Sequence, residues 1–309
     1  MSPSAITTGN EAPRSSAPRA CDFETPYQSA TSGLPPGSLY RHTDPMKNNE
    51  AFHALFTLPP IQPSANTALS VPEMPAPKVV TGDRELDAVL WLQECVSTGH
   101  QVLIDKALEA AKKITTPMKV LSLRYGNYLA RQHGSSFMAA LGSMNFGELE
   151  SLARNAIEKK AKQHDALSRF GNVESLFSDT PAEAACKKTL RGLKQKKTSG
   201  GWHEYDHAKT DARFNQHPDL RPHSLADCLH AMTYESALYR MRHACADDAG
   251  DHSPEFQEHA DYCFRQLALI PPRCKEEALA VFDYTEESDA ADRTEFPAIM
   301  RNLVAGGWA

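Results

Sequence analysis

From about residue 81 onward, apolar side chains recur every three or four residues, the interval that stacks them on one face of a helix. Leu86, Val89 and Leu90, with Gln93 beside them, predict a helix that ends at Ser97-Thr98-Gly99. Val102, Leu103, Ala107, Ala110 and Ile114 predict a second over 101–114. Thr116 followed by Pro117 reads as a cap and a proline at the first helical position, opening a third helix that His133-Gly134 closes. The strongest stripe lies in 146–170, where Leu149, Leu152, Ala153, Ala156, Ile157, Leu167 and Phe170 share one face. His164 falls on that stripe, and Asn145 and Glu148 stand at capping-box spacing before it.

Thr180-Pro181-Ala182-Glu183 repeats the cap, proline and carboxylate pattern and predicts a helix to about residue 195. After the pair Gly200-Gly201, helices are predicted from Ser224 to about Ala246, from Ser253-Pro254-Glu255 to Pro271-Pro272, and over 275–285 and 296–305. No run alternates strictly between apolar and polar, so strands should be few or absent. The expected fold class is all-α: an irregular multi-helix bundle or an array of helical hairpins.

Residues 1–80 break this pattern. They hold 13 of the 21 prolines, including Pro35-Pro36 and Pro59-Pro60, with Ser, Thr, Asn and Ala between them. Proline fixes φ and removes a backbone donor, and so little apolar surface cannot offset the entropy of ordering. The reading is a disordered Pro/Ser-rich tail over 1–80 and a helical domain over 81–309, with a sub-boundary near 198–201 at the glycine pair.

Charge divides the helical part. Residues 81–200 carry 18 Lys and Arg against 13 Asp and Glu, whereas 201–309 carry 10 against 20. The net charge of −6 therefore hides a basic middle, the only region suited to a polyanion. The two halves also attract each other, so packing between them is expected to absorb part of the contrast. The seven cysteines are odd in number, scattered and without a CxxC, the usage of a reducing compartment. Cys186 lies beside Lys187 and Lys188, which would favour its thiolate, but reads as a core residue. The N-terminus lacks a basic segment followed by an apolar run, and no stretch is apolar for long enough to span a bilayer. A cytoplasmic protein is expected. The Ser/Thr/Pro-rich tail leaves export by a specialised secretion system as the alternative.

The sharpest chemical lead is His203-Glu204-Tyr205-Asp206-His207. It resembles the HExxH motif of the zincin metallopeptidases, over these five residues alone. On a helix, residues i and i+4 share a face, so two imidazoles reach one Zn²⁺ while the glutamate activates its water. The resemblance implies His203 and His207 as metal ligands and Glu204 as general base. Glu235 on a following helix is the candidate third ligand, and Asp211 is another. Eight of the 13 histidines lie between positions 203 and 259, and His259 and Cys263 have i, i+4 spacing for a shared ion.

The second lead is the basic stretch Lys187, Lys188, Arg191, Lys194, Lys196 and Lys197. Cations at a helix end complement its dipole, and the same cations suit a protein partner or acidic ligand. No aromatic residue interleaves with them, so nucleic acid is not the favoured partner. Nucleotide-loop, nucleophile-elbow and kinase motifs are all missing. The sequence therefore supports a non-enzymatic helical interaction or regulatory protein, with no cofactor expected. The alternative is a zinc-dependent hydrolase of the metallopeptidase kind.

Overall fold

A computed structural model describes residues 47–62, 73–134, 139, 142–198, 200–201 and 203–306. The fold is all-α. Its helices are α1 (Glu50–Leu55), α2 (Arg84–Ser97), α3 (Gln101–Ala111), α4 (Met118–His133), α5 (Leu149–Phe170), α6 (Val173–Phe177) and α7 (Pro181–Leu190). After a two-stranded hairpin, β1 (Lys196–Lys197) and β2 (His203–Glu204), come α8 (His207–Gln216), α9 (Leu225–Cys245), α10 (Pro254–Gln266), α11 (Lys275–Glu287) and α12 (Phe296–Ala305).

Several helix starts follow their local chemistry. Thr180 and Ser224 each form the two reciprocal bonds of a capping box, with Glu183 and Asp227. Gly134 takes the left-handed conformation at the end of α4, where a Cβ would be strained. Others depart from expectation. Thr116 does not cap α4 but donates its hydroxyl to Glu85, and Pro117 is the N-cap. Asn145 and Glu148 form no capping box, because Asn145 is itself left-handed (φ 60°) and Glu148 makes no side-chain cap bond.

The helices pack into one main core and a smaller annex. The main core gathers apolar residues of α1 and of the C-terminal part of α5 with those of α6 to α12, including Leu190, Phe214, Leu238, Phe256 and Phe264. It runs across 198–201, so the expected sub-boundary does not divide the hydrophobic interior. The annex joins α2 and α3 to the N-terminal part of α5 through Leu92, Val96, Ile104 and Leu149. A third cluster ties α2 to α4 through Val89, Leu121 and Phe146. α5 thus belongs to both bodies and links them.

Because α5 meets different partners along its length, its stripe is only partly covered. Leu149, Ala153 and Ala166 are buried, whereas Ile157 and Leu167 are exposed. His164 is exposed too, which corrects its placement on the buried face. Val102 of α3 is likewise exposed, and Ile104 takes the core position.

The expected tail lies outside the described residues over 1–46 and 63–72. Over 49–62 it is corrected, because Phe52 of α1 and Phe56, the residue that caps its end, enter the main core with essentially no exposure. No helix of the described residues is long and apolar enough to cross a membrane.

Candidate functional site

The HEYDH segment begins as a strand. Gly201, at φ +88°, lets the chain turn back on itself. β2 then pairs antiparallel with β1, Glu204 opposite Lys196 and His203 opposite Lys197. Tyr205 follows, packed against the main core, with its hydroxyl donating to Glu255 at 3.0 Å. Burial, and then this bond, push the Tyr205 hydroxyl up to about 12. Asp206 is extended and serves as N-cap position, so the helix starts only at His207.

This corrects the helical reading of the motif. The i, i+4 spacing brings two imidazoles together only on continuous helix, and here His203 and Glu204 are strand and Asp206 is extended. His203, Glu204 and His207 nevertheless line one cavity of about 320 Å³, whose far wall carries Glu258, Asp261 and Arg293. His207 Nδ1 and Glu258 Oε1 are 3.0 Å apart. A carboxylate oxygen only accepts, so Nδ1 is the donor, which in a neutral imidazole leaves Nε2 as the acceptor. The same Glu258 oxygen accepts from Thr210 Oγ1 at 2.8 Å and Arg265 Nη2 at 2.8 Å. Arg265 also pairs with Asp211, which removes that carboxylate as a ready third ligand.

Glu235 does not join them. It lines a separate cavity with Ser236, Tyr239 and Arg240. Burial, reinforced by the nearby charge of Asp261, pushes its carboxyl up to about 7. Among the described residues no group of three or more His, Cys, Asp and Glu side chains is placed to hold a metal ion. His259 and Cys263 do approach, with Sγ 3.8 Å from Nδ1, but both are sealed in the core and His259 Nε2 donates to the Leu220 carbonyl. Neither neighbouring lysine activates Cys186: burial pushes its thiol up, and nearby carboxylates add to the effect.

Among the residues of this cavity that the sequence reading missed are Glu258, Asp261 and Arg265 of α10, together with Arg293. The signal of the three on α10 is a polar spacing of i, i+3, i+7 on an amphipathic helix.

The basic stretch is not one helix end. α7 stops at Leu190, and Gly192 (φ +84°) turns the chain so that 193–195 lead into β1. Lys187 pairs with Asp179 at 2.6 Å and Lys196 with Asp206 at 3.3 Å. Lys188, Arg191, Lys194 and Lys197 are exposed and have no carboxylate partner among the described residues.

No protein-family model, curated protein or solved structure matches this chain. Its chemistry has to be read from these residues. The cavity can orient an imidazole through a buried carboxylate, and the basic edge can attract an anion. Nothing in the described residues completes a nucleophile, base and oxyanion set around His207.

Proposed function

We propose that this protein is a non-enzymatic helical interaction protein that holds an acidic segment of a partner protein along 187–197. One observation carries the reading: four exposed cations on this edge have no carboxylate to neutralise them among the described residues. The acidic half does little to quench the basic one. Lys159–Asp247 and Lys196–Asp206 are the lysine pairs between the halves among the described residues, both on the surface. The field of the basic edge is left for a partner. Free thiols at Cys95, Cys186, Cys228 and Cys263, all buried, fit a reducing compartment such as the cytoplasm.

The test is saturable binding of a fluorescent poly-glutamate peptide, followed by anisotropy across a salt series. Reversing Lys188, Arg191, Lys194 and Lys197 to Glu should weaken binding by at least about tenfold, since a 1.4 kcal/mol loss is tenfold. Unchanged binding would remove the site. A single-stranded oligonucleotide bound more tightly than the peptide would replace the protein partner with nucleic acid.

Zinc-dependent hydrolysis is the second reading, and a single feature favours it. His207 donates Nδ1–H to a buried carboxylate, the arrangement that aims Nε2 of a zinc-ligating histidine, and His203 and Glu204 line the same cavity. It predicts zinc retained after metal-supplemented expression and lost in His203→Ala and His207→Ala, measured by elemental mass spectrometry.

A further inference from the structure

We propose that a cleft between the end of α7 and the C-terminal turn of α8 is an oxyanion pocket that seats one carboxylate or phosphoryl group of an acidic peptide. The inference rests on the reading that the basic edge binds acidic protein, and it names the anchor point.

The cleft has a volume of about 360 Å³ and is lined by Lys188, Thr189, Arg213, Gln216 and His217. Each of the five side chains can donate a hydrogen bond, and no carboxylate lines the space. Arg213 is already held in place: its Nη1 donates to the Thr189 carbonyl at 2.9 Å and the Arg191 carbonyl at 2.8 Å. These bonds fix the guanidinium plane and offset the partial negative charge at the end of α7. Nε and Nη2 have no partner among the described residues, so one edge of the fork is uncommitted. A planar fork with a free edge matches carboxylate and phosphate oxygens two at a time.

A second, independent observation points to the same cleft. Among the described residues four buried side-chain polar atoms lack a hydrogen-bond partner, and two of them, Thr189 Oγ1 and His217 Nδ1, belong to its walls. Leaving such an atom unpaired is costly, and both residues line the cleft. An oxyanion that accepts from the Thr189 hydroxyl and from His217 in its Nδ1–H form would satisfy both. Lys188 lines the cleft and is exposed, and Arg191, Lys194 and Lys197 are exposed on the segment that follows it, so a chain anchored in the cleft would offer its neighbouring acids to these cations.

The full chain should be titrated with inorganic phosphate and with acetate at constant ionic strength, following backbone and imidazole NMR signals. A hexaglutamate peptide and a phosphoserine-containing peptide, both fluorescent, are then compared by anisotropy. Two variants are decisive: Lys188→Glu with Gln216→Glu at the mouth, and Arg191→Glu with Lys194→Glu and Lys197→Glu outside it. Thermal melts check that each stays folded.

The expected result is saturable phosphate shifts confined to Thr189, Arg213 and His217. Peptide affinity should fall at least about tenfold in the mouth variant and less in the outer one. The phosphoserine peptide binding more tightly than hexaglutamate would identify phosphoryl as the preferred group, and the reverse would identify carboxylate. Phosphate and acetate shifts that do not saturate, or a mouth variant that binds like the wild type, overturn the pocket. Saturable phosphate with neither peptide bound keeps the pocket and retires the acidic-partner reading instead.

Discussion

Arg242 directs its whole guanidinium inward. Nη1 and Nη2 donate to the two oxygens of Glu183 at 2.6 and 2.9 Å, and Nε donates to the Leu176 carbonyl at 3.0 Å. Glu183 also accepts from the Thr180 backbone N–H, so one carboxylate caps α7 and binds α9. Burial alone would push the Glu183 carboxyl up, but the bonds from Arg242 and Thr180 outweigh it and hold it below its usual value. Its stabilising effect is therefore present above the ordinary carboxyl range and is lost as pH falls through the lowered folded value. Glu183→Ala leaves Arg242 buried without a counter-charge. It should cost about 3–5 kcal/mol, read as a lower urea midpoint at neutral pH. A loss under about 1 kcal/mol would mean that the pair is not desolvated. Glu235 runs the other way. Its folded value of about 7 lies above its ordinary one, so stability is full below the ordinary value and declines as pH rises towards 7. Glu235→Gln removes that decline. The gap in urea midpoint between Glu235→Gln and wild type should widen in the variant's favour from pH 5 to pH 8, and a constant gap would show that Glu235 is not desolvated.

At the scale of elements, α1 shows how a short segment escapes a reading by periodicity. Six helical residues between proline-rich stretches carry fewer than two turns, too little for a stripe to register. Its position comes from long-range bonds. Asn49 Nδ2 donates to the Pro218 and Arg221 carbonyls at 2.7 and 3.0 Å, and His53 Nε2 lies 2.7 Å from Asp227. Phe56 then stacks on His259, ring centroids 4.7 Å apart. Phe56→Ala should cost about 3–5 kcal/mol by calorimetry, a core-sized loss from a residue in a proline-rich segment. A loss near zero would mean that α1 is not docked in solution. The hairpin at 196–204 escaped for a related reason. Two-residue strands have no alternation to detect, and the glycines that signal a turn do not say what pairs across it. The helices opening at Pro181 and Leu225 were legible because Thr180 and Ser224 cap them locally, and the one over 296–305 because its apolar residues keep helical spacing up to Gly306.

At the scale of the whole molecule, the two bodies should differ in stability. The main core buries many large aromatics, whereas the annex rests on few apolar residues and α4 is anchored chiefly by Leu121. Regions with fewer buried contacts open first. Native-state hydrogen exchange should find amides in α2 and α4 opening at lower free energy than those of α9 and α10. Equal protection in both would show that α5 couples the bodies into one cooperative unit.

The sequence by itself determined the fold class and most helix starts, because these are set by neighbours within a turn or two of chain, and the division of charge, which is composition alone. It also marked 187–207 as the chemically distinctive segment. Tertiary structure alone decided what that segment becomes. Whether His203 and His207 share a helix depends on a backbone turn at Gly201 and on Tyr205 entering the core. Which carboxylate meets His207 depends on α10 lying against α8, so that Glu258 stands there and Glu235 faces another cavity. Such pairings join residues about fifty positions apart, and no local spacing encodes them.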